Sequence, residues 1–177
     1  MHAFAAVVVP AGVTRADAEP YVEKAMAPFY EENPEGGWWD WYQIGGRFTG
    51  VWSEYDPAQD PANVEMCSQC AGTGTRPGGL EQFGQEWFDA CHGCNGCHGT
   101  GKAVRWPTQW GPHDGDVIDV KALLHNPLKV PSTVVTPTDV LDGGWQNLDG
   151  DAEWRERVVE ALTAYADQRL VVVDYHS

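Results

Sequence analysis

Two stretches of the chain are apolar at nearly every position. Residues 3–9 (AFAAVVV) and 170–174 (LVVVD) hold small and β-branched side chains without the alternation of a half-exposed strand, which is the pattern of buried strands. Helical spacing occurs twice between them. Val22, Ala25, Met26 and Phe29 recur at i, i+3, i+4 and i+7, with Thr14 or Asp17 as a cap and Pro20 in the first turn, which predicts a short amphipathic helix ending near Pro34. Trp154, Val158, Leu162 and Tyr165 fall on one face of a second helix, capped by Asp149 or Asp151. Residues 38–52 (WWDWYQIGGRFTGVW) predict a strand, a bend at Gly45-Gly46 and a second strand segment. Residues 132–137 (STVVTP) read as a strand, Val117–Leu124 alternates imperfectly, and Asp142-Gly143-Gly144 marks a turn.

In order, the elements read β-α-β, a cysteine-rich stretch, then β-α-β. Two such halves predict an α+β domain, a ferredoxin-like βαβ-βαβ sandwich with both helices on one face, built from residues 1–64 and 107–177. Residues 65–106 break the pattern, with many glycines, five cysteines and little aliphatic content. Such a segment cannot bury its own core and needs a metal to hold it, so it is expected to project as an inserted zinc-knuckle finger.

At 177 residues the chain suits one compact domain carrying a small module. Eleven Lys and Arg stand against 26 Asp and Glu, a formal charge of −15. That balance opposes a nonspecific grip on nucleic acid and favours a protein partner with a basic surface. Nine Trp, six Tyr and five Phe exclude a disordered acidic tail. No run of ~18 apolar residues is present to span a membrane. The apolar residues 3–9 lack a preceding Lys or Arg and a small-residue cleavage pattern, which leaves the strand reading and a cytoplasmic location as the expectation.

The most specific signal is Cys67-Ser-Gln-Cys70-Ala-Gly-Thr-Gly74, echoed by Cys94-Asn-Gly-Cys97-His-Gly-Thr-Gly101. A Cys-x-x-Cys turn points two thiolates at one ion, and the glycines after it let backbone amides fold back toward the sulfurs. Two such turns make one closed tetrahedral site, so Cys67, Cys70, Cys94 and Cys97 are expected to hold one structural zinc per chain. Cys91-His92-Gly93-Cys94 is also a Cys-x-x-Cys, which leaves a ligand set using Cys91, His92 or His98 open, as well as a redox dithiol. The duplicated motif resembles the cysteine-rich zinc domain of the DnaJ-type chaperones over residues 67–101. That family usually carries four copies and two zinc ions, so two copies imply one zinc. The chain lacks the His-Pro-Asp tripeptide of a J-domain, and partnership with the chaperone that J-domains recruit is not implied.

The second unusual segment is Trp38 to Phe48. Strand alternation puts Trp39, Trp41 and Gln43 on one face and Trp38, Asp40 and Tyr42 on the other, so one face cannot bury all the rings. Trp38, Trp39, Trp41, Tyr42 and Arg47 are therefore candidates for a ligand or partner groove, with a stacking platform for a nucleotide as one form of it. The alternative is core packing with Asp40 and Arg47 paired. Asp174 and His176, two apart at the end of the last strand, share a face and join this candidate set.

The segment 39–47, the two Cys-x-x-Cys-x-Gly-Thr-Gly copies and the ending Val171-Val172-Val173-Asp174-Tyr175-His176 together resemble a group of small proteins encoded by bacteriophages, especially phages of actinobacteria. The resemblance implies a phage accessory protein working in the host cytoplasm. The expectation is a non-enzymatic, protein-binding module that engages a host or defence-system component. A small-ligand or nucleotide-sequestering protein is the alternative, and a hydrolase using Asp174 and His176 with Asp40 and Arg47 is the third reading. No Walker loop, Gly-x-Ser-x-Gly elbow or His-Glu-x-x-His is present, and no catalytic residue is assigned.

Overall fold

The computed structural model describes residues 1–34, 36–75, 93–125, 129–143 and 151–177. The chain divides into two compact units. One is formed by Met1–Tyr55 with Pro112–Ser177, the other by Asp56–Gly111, so the second unit is wider than the 65–106 read from composition.

The first unit is a mixed sheet flanked by helices. Strands β1 (His2–Val9) and β8 (Arg169–His176) are its spine, paired antiparallel over their full length from His2↔His176 to Val9↔Arg169. β6 (Thr133–Val135) runs parallel to β1, and β7 (Val140–Asp142) closes that edge as a short hairpin partner. The far side of β8 is shared end to end by two strands. β2 (Trp41–Ile44) pairs with its C-terminal half, and β5 (Val117–Asp119) with its N-terminal half. Between them, the Gly45 N–H donates to the Val172 carbonyl at 2.9 Å.

The described residues thus form an α+β unit, but two features depart from a ferredoxin-like sandwich. In that arrangement β2 lies beside β6; here β7 holds that place and β2 sits across the sheet against β8. The helices also divide between the faces. α1 (Glu19–Met26) buries Val22 and Met26 against Ala5, Val7, Val9, Val171 and Val173. α2 (Val120–His125) and α3 (Ala152–Thr163) bury Val120, Leu123, Trp154, Val158 and Leu162 against Ala6, Val8, Val134 and Leu170. Residues 4–9 and 170–175 are buried at every position, because odd and even side chains both meet a helical layer or a covering turn. A sheet with one open face would show alternation instead. Each Val, Leu or Phe among them withdrawn from water contributes about 1.5–3 kcal/mol before entropy is counted.

Local signals explain the helix ends. Asp151 caps α3, its carboxylate accepting from the Glu153 and Trp154 N–H groups at 3.0 and 3.1 Å; Asp149 lies outside the described residues. Neither Thr14 nor Asp17 caps α1. Their side chains bond each other at 2.6 Å beside the 3₁₀ turn Arg15–Asp17, and α1 starts at Glu19 with Pro20 in its first turn. Val117–Leu124 changes from strand to helix at Val120.

In the second unit, β3 (Val64–Met66) and β4 (Lys102–Val104) form an antiparallel ribbon that carries two cysteine turns.

Candidate metal centre and a sheet-end His–Asp cluster

The repeated cysteine motif folds twice into the same shape. In the first copy the Gly72 N–H donates to the Cys67 carbonyl, the Thr73 N–H and hydroxyl to the Cys70 carbonyl, and the Gly74 N–H to Cys70 Sγ at 3.4 Å. In the second, Gly99 and Thr100 repeat these bonds on Cys94 and Cys97, and the Gly101 N–H donates to Cys97 Sγ at 3.2 Å. Ala71 and His98, at equivalent places, both adopt positive φ, 49° and 50°. The identical Gly-Thr-Gly tails are therefore what aim amides at sulfur.

All four sulfurs converge, lying within 4.8 Å of one another, and all four cysteines are buried. Cys67 and Cys94 Sγ stand 3.9 Å apart, Cys70 and Cys97 Sγ 3.7 Å. Thiolates at ~2.3 Å from a central tetrahedral ion stand about 3.8 Å apart, so the set fits a four-sulfur metal site. Burial disfavours the Cys70 thiolate, but the Gly74 amide and the adjoining thiols outweigh it and bring its pKa to about 7. At Cys94 burial, reinforced by the other cysteines, pushes the thiol up to about 11. His98 is exposed and outside the set, while Cys91 and His92 lie outside the described residues.

The aromatic segment divides differently from simple alternation. A bend at Asp40 puts Trp38, Trp39 and Tyr42 together on the α1 side. Trp38 meets the Tyr175 ring edge-on at 4.8 Å and stacks on Phe29 at 5.7 Å. Trp39 donates its indole N–H to the Met26 carbonyl at 2.9 Å, and Tyr42 reaches Glu19 at 3.3 Å. Burial, aided by that carboxylate, raises the Tyr42 pKa. These three rings pack against the core. Beyond Ile44 the expected second strand segment is absent. Gly45 and Gly46 have φ of +78° and +55° and lead into the 3₁₀ turn Gly46–Phe48.

Trp41 points to the opposite face, in a cluster that joins both chain ends. His2, His176 and Trp41 are cross-strand neighbours in one row, and Phe4, Asp174 and Gln43 form the next row on that face. His2 Nδ1 lies 2.8 Å from Asp174 Oδ1, and the Arg47 N–H donates to Asp174 Oδ2 at 3.0 Å. His176 Nδ1 lies 2.9 Å from Asp40 Oδ1. The Asp174 side chain is 1% exposed, those of His2 and His176 26% and 40%. Asp40 thus pairs with His176 and not with Arg47, whose residue is exposed. The sequence reading missed His2, because 172 positions separate it from its partner and only the β1–β8 register joins them.

A second buried carboxylate lies against the same turn. Asp116 accepts the His113 N–H at 3.2 Å and faces Arg15 Nε at 3.6 Å. Burial raises its pKa against the lowering pull of that amide and of Arg15. A Cβ on Gly45 would meet its Oδ2 at 2.6 Å, and one on Gly46 would meet Asp174 Oδ2 at 2.6 Å, so both carboxylates depend on bare glycine.

Comparison of the chain with protein-family models, curated proteins and solved structures gave no match. Among the described residues, no helix is long and apolar enough to cross a membrane.

Proposed function

We propose that the chain is a non-enzymatic protein-binding module whose cysteine unit is a zinc knuckle pair inserted in the α+β unit, of the phage accessory kind that its segments resemble, acting in the host cytoplasm. Zinc is the ion that four buried thiolates in a closed tetrahedral set suit best. With every position filled by protein sulfur it has no place for water, and its role is to hold the unit together.

The observation that carries the binding role is where apolar side chains face solvent. Of five large exposed apolar residues among those described, three are Met66, Val104 and Trp106, on or just after the β3–β4 ribbon; Trp106 is 72% exposed. Holding such side chains in water is what protein-binding surfaces do, with Trp the residue type richest in binding energy. The chain's charge of −15 selects a partner with a basic surface and makes the association salt-sensitive.

The test is affinity capture from an actinobacterial host lysate with the wild-type chain and a Met66→Ser/Trp106→Ser variant. A host protein retained by the wild type, released by salt and lost with the variant, at unchanged zinc content and circular dichroism, is the expected result. Capture that is equal for both chains refutes the assignment of this surface.

A further inference from the structure

We propose that His2 and His176 form a second, solvent-open site for a divalent transition-metal ion, with Asp174 and Asp40 orienting the two imidazoles. This rests on the sheet-end cluster alone and is independent of the protein-binding role.

A carboxylate only accepts hydrogen bonds, so a neutral imidazole whose Nδ1 faces one carries its proton there. With Nδ1 of His2 on Asp174 and Nδ1 of His176 on Asp40, both rings keep the Nε2 lone pair for another partner. Carboxylate–imidazole–metal is the arrangement by which metal ligands are fixed in tautomer and orientation. The spacing of the rings permits it. Two imidazoles bound through Nε2 at about 2.0–2.1 Å to one tetrahedral ion have ring centres about 5.2 Å apart. The His2 and His176 ring centres are 5.4 Å apart, with their planes at 68°.

Charge points the same way. Asp174 is buried, and its partners are the His2 ring and the Arg47 amide, so a dication behind His2 would compensate a carboxylate that lacks a full cationic partner. Gln43, beside Asp174 in the same row, holds its Oε1 buried without a hydrogen-bond partner. The Trp41 ring stands edge-on to His2 at 5.7 Å and walls one side. Two protein ligands leave the remaining positions to water or to an anionic ligand, unlike the closed four-sulfur centre.

The experiment uses the full chain, free of any added histidine tag and already loaded with one zinc. Zn²⁺ is titrated by calorimetry, and bound metal is counted after gel filtration. A second equivalent is expected. His2→Ala and His176→Ala should each weaken it at least tenfold while the first equivalent stays, and Asp40→Asn should weaken it about 10–100-fold through ligand orientation. On the wild type, long-range proton–nitrogen spectra should show Nε2 of these two rings shifting on metal addition while Nδ1 stays protonated. That readout decides the matter even if a variant fails to fold. A single equivalent in the wild type, a second one indifferent to both histidine variants, or unmoved Nε2 signals would overturn the proposal.

Discussion

Replacing Gly46 by Ala tests whether the buried Asp174 carboxylate shapes the turn beside it. The new Cβ would lie 2.6 Å from both the Cβ and Oδ2 of Asp174 and 3.0 Å from its Cγ, on a residue with φ of +55°. The left-handed conformation costs roughly 1–2 kcal/mol for a residue with a side chain. Relieving the overlap moves the carboxylate or the turn, which loosens the 3.0 Å bond from the Arg47 amide and the 2.8 Å contact with His2. Weakening a buried, charged acceptor in this way adds about 1–3 kcal/mol, for a loss of about 2–5 kcal/mol in all. Urea denaturation followed by circular dichroism measures it, with Gly12→Ala as the control, since a Cβ there meets nothing within 4 Å. A loss at Gly46→Ala no larger than at Gly12→Ala would mean that the turn yields freely and that Asp174 does not hold it.

Single Cys→Ser changes at Cys67, Cys70, Cys94 or Cys97 should each abolish stoichiometric zinc and make residues 56–111 protease-sensitive, with the Met1–Tyr55 and Pro112–Ser177 unit still folded; metal analysis with limited proteolysis checks this. Cys91→Ser should keep its zinc, and loss there would redraw the ligand set. Trp38→Ala should cost about 3 kcal/mol, since the ring packs on Tyr175 and Phe29, and more than Trp41→Ala on the open face; equal losses in denaturant titrations would contradict the division of the aromatic segment. Burial raises the Asp116 pKa, so the folded state holds that proton more tightly than the unfolded chain. Its stabilising effect is complete in acid and is lost as pH rises through the raised pKa. Asp116→Asn should therefore gain on the wild type with rising pH above the ordinary carboxylate range of ~4, and parallel stability curves would refute this.

The spine strands and the metal set were legible because each is a local pattern. Continuous apolar runs marked β1 and β8, and the doubled Cys-x-x-Cys-x-Gly-Thr-Gly gave the convergence of four sulfurs. The same runs also argued against an open sheet face: had LVVVD been read for both its faces, the helices would have been divided between them. Strand order was not legible. β2 chooses β8 over β6 through pairing that no local feature encodes, and β7 is three residues long, too short for periodicity to show. Gly45-Gly46 was recognised as a bend, but the need for bare glycine there comes from carboxylates at positions 116 and 174, which are far away in sequence.

Why polar chemistry gathers at one end of this sheet follows from how far its cover extends. α2 and α3 reach Ala6, Val8 and Leu170. One row further, Phe4 is covered instead by Phe48 and Trp52, with ring centres at 5.2 Å. In the last row, Trp41 packs against neither apolar cluster, and the imidazoles of His2 and His176 keep contact with water. Asp174 sits in the row between, buried beside Phe4 where the adjacent positions of β8 are valine and tyrosine. An apolar residue would close that row at lower cost, because a buried carboxylate must be met by donors. The donors that meet it are the Arg47 amide and the His2 ring, so its burial holds the turn on one side and an imidazole on the other.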